Sequence, residues 1–242
     1  MGVAAVLNAE RIKLSTTRSP LWSVIAVAVL SLGLAAVAAA TSYGPGALQP
    51  DKAAMGVAVF GVPVMMILSA LTVTNEYRSG LIRTTFMAVP NRTLVLNAKA
   101  VVAAAFSSAY VAVLVVLSCA VARVPLADPA VWRLVGAIAL YAALAAVLGV
   151  GVGAILRASA GAVAILLLWP LVAEPLLANL PNAGTEVGPY LPFANAFIFL
   201  NVAWLYPTYA MPWGPHASIV YFAAVVAAVF VGALVAVNRR DA

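Results

Sequence analysis

The sequence predicts an all-α membrane protein with six transmembrane helices, and three observations carry that reading. Of 242 residues, 65% are apolar and only 8% charged, where a soluble domain carries roughly 25% charged residues. The mean hydropathy is +1.09. The apolar residues gather into runs near the ~20 residues that a helix rising 1.5 Å per residue needs to cross a ~30 Å hydrocarbon core. Seven acids, thirteen Lys or Arg and one His are too few to clothe a water-facing surface around such a core, which excludes a soluble globular enzyme.

Taken in order, residues 1–20 read as an interfacial connecting helix ahead of the first span. The spans cover 22–40, 55–74, 98–122, 131–156, 160–180 and 218–237. The first run begins too late and is too long for a secretory signal, so it is expected to remain as a span. Residues 181–217 hold Pro181, Pro189, Pro192, Pro207, Pro212 and Pro215, no Lys or Arg, and many aromatic residues. Such a stretch is too apolar for an aqueous loop and too broken by proline for one span. It reads as short helices dipping into the outer interface, a re-entrant segment, with a plain loop carrying interfacial aromatics as the alternative.

Orientation follows from the basic residues, which are retained on the cytoplasmic side of short loops. Arg11, Lys13, Arg18, Arg78, Arg83, Arg92, Lys99, Arg157, Arg239 and Arg240 fall on one side, against Lys52, Arg123 and Arg133 on the other. Both termini are therefore expected in the cytoplasm. The same scatter between apolar blocks, with no dense basic tract, argues against a nucleic-acid partner.

The segment 75–97, continued to Lys99, reads NEYRSGLIRTTFMAVPNRTLVLNAK and holds five of the twenty charges. As a helix it places Ile82, Phe86 and Val89 on one stripe, with Arg83 and Thr84 elsewhere and Arg78 intruding on the stripe. Pro90 disfavours helical geometry at Val89 and is expected to end the element there.

A glutamate after a span, a glycine, a Thr-rich short helix, a Pro-x-Arg turn and a lysine opening the next span resemble type 2 ATP-binding-cassette (ABC) permeases. Here these residues are Glu76, Gly80, Thr84, Thr85, Pro90, Arg92 and Lys99. The opening LNAERIKLSTTRSPLW, with Glu10, Arg11, Lys13, Arg18 and Pro20, is similar to that family's connecting helix. The resemblance runs the whole chain, although the motif is loose. It implies that residues 76–90 form a coupling helix docking on a separate cytoplasmic ATPase subunit, which holds the ATP and Mg. It also implies pairing with a second permease chain in a bacterial cell membrane. Salt bridges from Glu76 to Arg78 or Arg83 would then hold the element.

No G-x-x-x-x-G-K-[ST] loop occurs in the sequence, so ATP hydrolysis by the P-loop mechanism falls to a partner. Gly149 and Gly153 form a G-x-x-x-G pair inside an apolar helix, suited to close helix packing within the chain or at a dimer seam. Glu174, between Pro170 and Pro175, is the one acid within a span. It reads either as a cavity-lining, proton-relaying carboxylate or as a group at the outer interface where a proline-broken helix ends early. His216 stands alone, which argues against a metal site. Cys119 lies in an apolar run and reads as a small buried residue. No Ser, His and acid set supports an intramembrane hydrolase, and Asn91-Arg92-Thr93 is a chance glycosylation triplet on a cytoplasmic loop.

These readings converge on the permease subunit of an ABC exporter, itself not an enzyme and without a bound cofactor. Its cargo would be hydrophobic or amphipathic: a drug, lipid or peptide. A gradient-driven transporter would be expected to show midplane ionisable pairs or an inverted repeat. A non-transporting scaffold or sensor subunit is the other alternative.

Overall fold

The computed structural model describes residues 2–16, 18–42, 48–202, 206–207 and 211–239, with side chains for all of these except 18–20. The side chains of Arg18 and Pro20 and the whole of Arg240, used above, lie outside the described residues. Every described element is helical. In chain order they are α1 (Val3–Thr16), α2 (Arg18–Thr41), α3 (Pro50–Ser79), α4 (Leu81–Ala88), α5 (Arg92–Val121), α6 (Pro129–Leu156), α7 (Ser159–Ala178), α8 (Ala183–Val187), α9 (Pro192–Leu200) and α10 (Pro215–Arg239). Six of them, α2, α3, α5, α6, α7 and α10, are long and apolar enough to cross a membrane, making this a multi-pass membrane protein by length and composition.

Two spans, α3 and α5, are longer than expected of them. Helix α3 runs on to Ser79 and α5 begins at Arg92, so Glu76 and Lys99 lie within helices, and the loop shrinks to α4 and its two short joints. Helix α7 does not end early at its prolines. It passes Pro170 through a π turn, Trp169–Ala173, and continues to Ala178. Pro170 and Pro175 lack the N–H a regular ladder needs, and the wider π turn accommodates the change in pairing. A second π turn, Val57–Gly61, interrupts α3.

Helix α6 is the centre of the bundle, packed against α3, α5 and α10, while α7 lies on α3 and α2 lies on α3 and α5. The most apolar stretch is 72% buried in α3 and 61% buried in α6, but only 17% buried in α2. The outward faces carry Trp22, Val29, Val101, Val113, Val220 and Val231, the apolar surface that a lipid-immersed bundle presents.

The contact of α3 with α6 is made by backbone. A Cβ on Gly153 would lie 2.7 Å from the Ala70 carbonyl oxygen, and one on Gly149 would collide with the Met66 carbonyl oxygen. The G-x-x-x-G pair thus serves packing within this chain. Nearer the Pro129 end of α6, aromatic side chains interlock instead: Tyr141 meets Phe197 of α9 at 6.1 Å and Phe222 of α10 at 5.7 Å between ring centroids. Gly149→Val is expected to lower stability by more than ~2 kcal/mol, because backbone must move to admit the side chain. Gly161→Ala, where a Cβ meets nothing within 4 Å, is expected to cost nothing; thermal unfolding of both variants in detergent checks the pair.

Candidate functional site

Four charged residues of α1, α3 and α5 converge at one end of the bundle. Lys99 Nζ donates to Glu10 Oε2 at 2.7 Å and to Glu76 Oε1 at 2.6 Å, and Lys13 Nζ donates to Glu10 Oε1 at 2.8 Å and to Glu76 Oε1 at 2.9 Å. Two acids and two lysines thereby close a ring that is formally neutral. Lys99 is 2% exposed at its side chain, whereas Lys13 is 44% exposed. Glu76 Oε2 is enclosed and has no hydrogen-bond partner among the described residues. Desolvating an ion costs several kcal/mol, which is offset here because each buried charge meets an opposite one with hydrogen-bond geometry.

Helix α1 depends on this ring for its docking. Of its residues only Val6 and Glu10 are buried, so apolar burial alone holds little of it. Burial pushes the Glu10 carboxyl upward, but the charge of Lys99 and the hydrogen bonds from Lys13 and Lys99 outweigh it and leave the group below its ordinary 4.5. Burial likewise lowers Lys13, and its hydrogen bonds to Glu10 and Glu76 outweigh that, leaving it above 10.5. Arg11 stays outside the ring, donating to Asn8 Oδ1 at 2.9 Å on the exposed face.

This arrangement corrects the expected pairing. Glu76 bonds to lysines from two other helices, and among the described residues neither Arg78 nor Arg83 forms an ion pair. Arg78 is two residues from Glu76 on the same helix and points away from it. Arg83 lies beyond Gly80, whose φ of 74° turns the chain from α3 into α4. That left-handed residue also removes Arg78 from the α4 stripe, leaving Ile82 buried with Phe86 and Val89 half-buried.

Pro90 terminates α4 as its position implies: α4 ends at Ala88 and Val89 is extended. Asn91 then caps α5, accepting from the Leu94 N–H at 2.9 Å. The Arg92 guanidinium lies over the Phe86 ring at 5.1 Å and donates to the Val237 carbonyl at 3.0 Å, tying α4 and α5 to the end of α10. Leu81 and Met87 remain exposed on α4, 57% and 74% respectively, with Arg83 and Thr84 also exposed. Beside the ring, a groove of about 360 Å³ opens between α1, α3, α4 and α5.

Glu174 sits at the other end of the bundle, fully buried. Its Oε1 accepts from Trp169 Nε1 at 2.9 Å, and its Oε2 accepts from the Phe193 and Ala194 N–H groups at 2.9 and 3.1 Å. It is therefore not a water-facing interfacial acid. It caps α9, whose own N-cap residue, Leu191, has no acceptor side chain. That missing local cap was the available sequence signal. His216 is exposed against Phe199, and Cys119 is buried.

Lys99→Met is expected to cost ~3–5 kcal/mol by leaving two buried acids to share the single, half-exposed Lys13. Between the unfolded values near 4.5 and 10.5 the ring's contribution is present in full. It is lost as pH falls through the lowered folded-state value of Glu10 or rises through the raised value of Lys13. Release of α1, followed by limited proteolysis across pH, checks both limits. Glu174→Gln places an amide donor against existing N–H donors and is expected to cost ~1–3 kcal/mol, read by melting followed through Trp fluorescence.

Among known proteins, no family model and no curated sequence matches this chain.

Proposed function

We propose that this chain is the transmembrane permease subunit of an ATP-driven ABC exporter, with both termini in the cytoplasm of a bacterial cell. The reading rests chiefly on α4, an eight-residue helix joined to α3 through the single residue Gly80 and to α5 through the Pro90 turn. Its buried edge is Ile82, and its free face presents Leu81, Arg83 and Met87. Joints that short transmit displacement, and the ion ring ties α3 and α5 to α1 just behind the helix. A push on α4 thus reaches three helices together. Such a contact converts closure of a motor into tilting of spans when the two states differ in contact energy.

In this reading α4 is the coupling element, α1 the connecting helix, and the motor a separate P-loop ATPase that binds ATP and Mg. A second permease chain completes the pathway. Helices α8 and α9 form the re-entrant segment on the outer side, supported by their apolar, proline-rich sequence and by the packing of α9 against α10. The cargo is hydrophobic or amphipathic, in keeping with spans poor in polar groups.

Cross-linking from position 81, on the same exposed face, in native membranes, followed by purification and mass spectrometry, is expected to recover a P-loop ATPase. Arg83→Glu combined with Met87→Glu is expected to reduce its recovery more than about tenfold, equivalent to ~1.4 kcal/mol, without changing the chain's melting temperature. An ATPase complex undiminished by both substitutions overturns the docking role.

A further inference from the structure

The groove beside the ion ring has a polarity gradient along α3. Its floor is apolar, formed by Leu68 and Leu71 of α3 and Val102 of α5. Leu68 lies eleven residues before Ser79, so the groove follows α3 for about 16 Å from the helix end into the span. Its mouth is polar, formed by Ser79, Thr84 and Thr85 together with the ion ring. An occupant matching both ends is amphipathic and stands upright in that leaflet.

The mouth is rich in acceptors. Ser79 Oγ donates to the Asn75 carbonyl at 2.7 Å, and the Thr84 and Thr85 hydroxyls donate to the Leu81 carbonyl at 2.7 and 3.1 Å. With their protons committed to backbone, these three oxygens offer lone pairs. Glu76, which also lines the groove, keeps one enclosed carboxylate oxygen, Oε2, for which no donor is found among the described residues. Next to it stands the cation of Lys13, 44% exposed at its side chain. A headgroup with an N–H-donating ammonium beside a phosphate complements that sequence of charges, and charge-assisted N–H bonds favour it over a neutral hydroxyl head.

We propose that this groove binds the headgroup of an ammonium-bearing phospholipid, with one acyl chain lying on Leu68, Leu71 and Val102. A volume of about 360 Å³ is at the small end for a ligand site, so it holds the head and part of one chain, the rest of the lipid remaining in the bilayer. The site is independent of the ATPase reading, because nothing in it requires a motor.

The test mixes the purified full chain in detergent with equal amounts of phosphatidylethanolamine, phosphatidylcholine and phosphatidylglycerol of identical acyl chains, and counts retained lipid by native mass spectrometry. One phosphatidylethanolamine per chain is expected, preferred about tenfold over phosphatidylcholine, whose methylated ammonium has no N–H to donate. Thr84→Val with Thr85→Val, which preserves shape and removes two acceptors, is expected to abolish the preference while melting in phosphatidylcholine is unchanged. Leu71→Trp fills the floor and is expected to abolish retention; if that variant does not fold, the threonine pair decides. Equal retention of phosphatidylethanolamine and phosphatidylcholine overturns the site, since water then satisfies the mouth. A lead for phosphatidylglycerol overturns it in favour of a general basic surface. Preference surviving in the threonine variant, or retention surviving in folded Leu71→Trp, also overturns it.

Discussion

Four charges that none of their helices could bury alone hold one end of this molecule together. Glu10, Lys13, Glu76 and Lys99 come from three helices, and the salt bridges alternate acid and base around the ring. The desolvation term makes this contact all-or-none: each ion is tolerable in an apolar setting only while its partners are in place. The position of α1, the base of α3 and the first turns of α5 are thereby fixed relative to one another. Helix α4 inherits that rigidity, because it is suspended between α3 and α5 by joints too short to flex independently.

The opposite end is organised by a different economy of polar groups. Glu174 supplies the acceptor that the start of α9 lacks, and Asn195 within α9 donates to the Pro189 carbonyl while accepting from Trp213 Nε1. Buried in an apolar environment, these bonds satisfy backbone that water cannot reach. The hydrogen-bonded acids and amides thus gather where helices begin or end, and the middle of the bundle is filled by aliphatic, small and aromatic side chains.

The spans were legible because lipid imposes a length and a composition that few other structures share. The stop at Pro90 and the stripe of Ile82 and Phe86 were legible for a similar reason, since both are local. What sequence reading missed was pairing at long range. Lys99 meets Glu10 across 89 residues and Glu76 across 23, and no periodicity links them. The near neighbours Arg78 and Arg83 drew the pairing instead, because helical spacing rules see only one helix at a time. The interfacial reading of Glu174 assumed that proline ends a helix, whereas a π turn carried α7 past Pro170.

The glycines of α6 give its two halves different mechanical behaviour. Against Gly149 and Gly153, α3 presents bare carbonyl backbone, a surface without knobs to disengage. Tyr141, Phe197 and Phe222 form the reverse case, rings keyed into one another that must unlock before anything passes. Helix α6 is therefore gripped in two ways, by proximity of backbone along α3 and by the shape of interlocked rings toward α9 and α10.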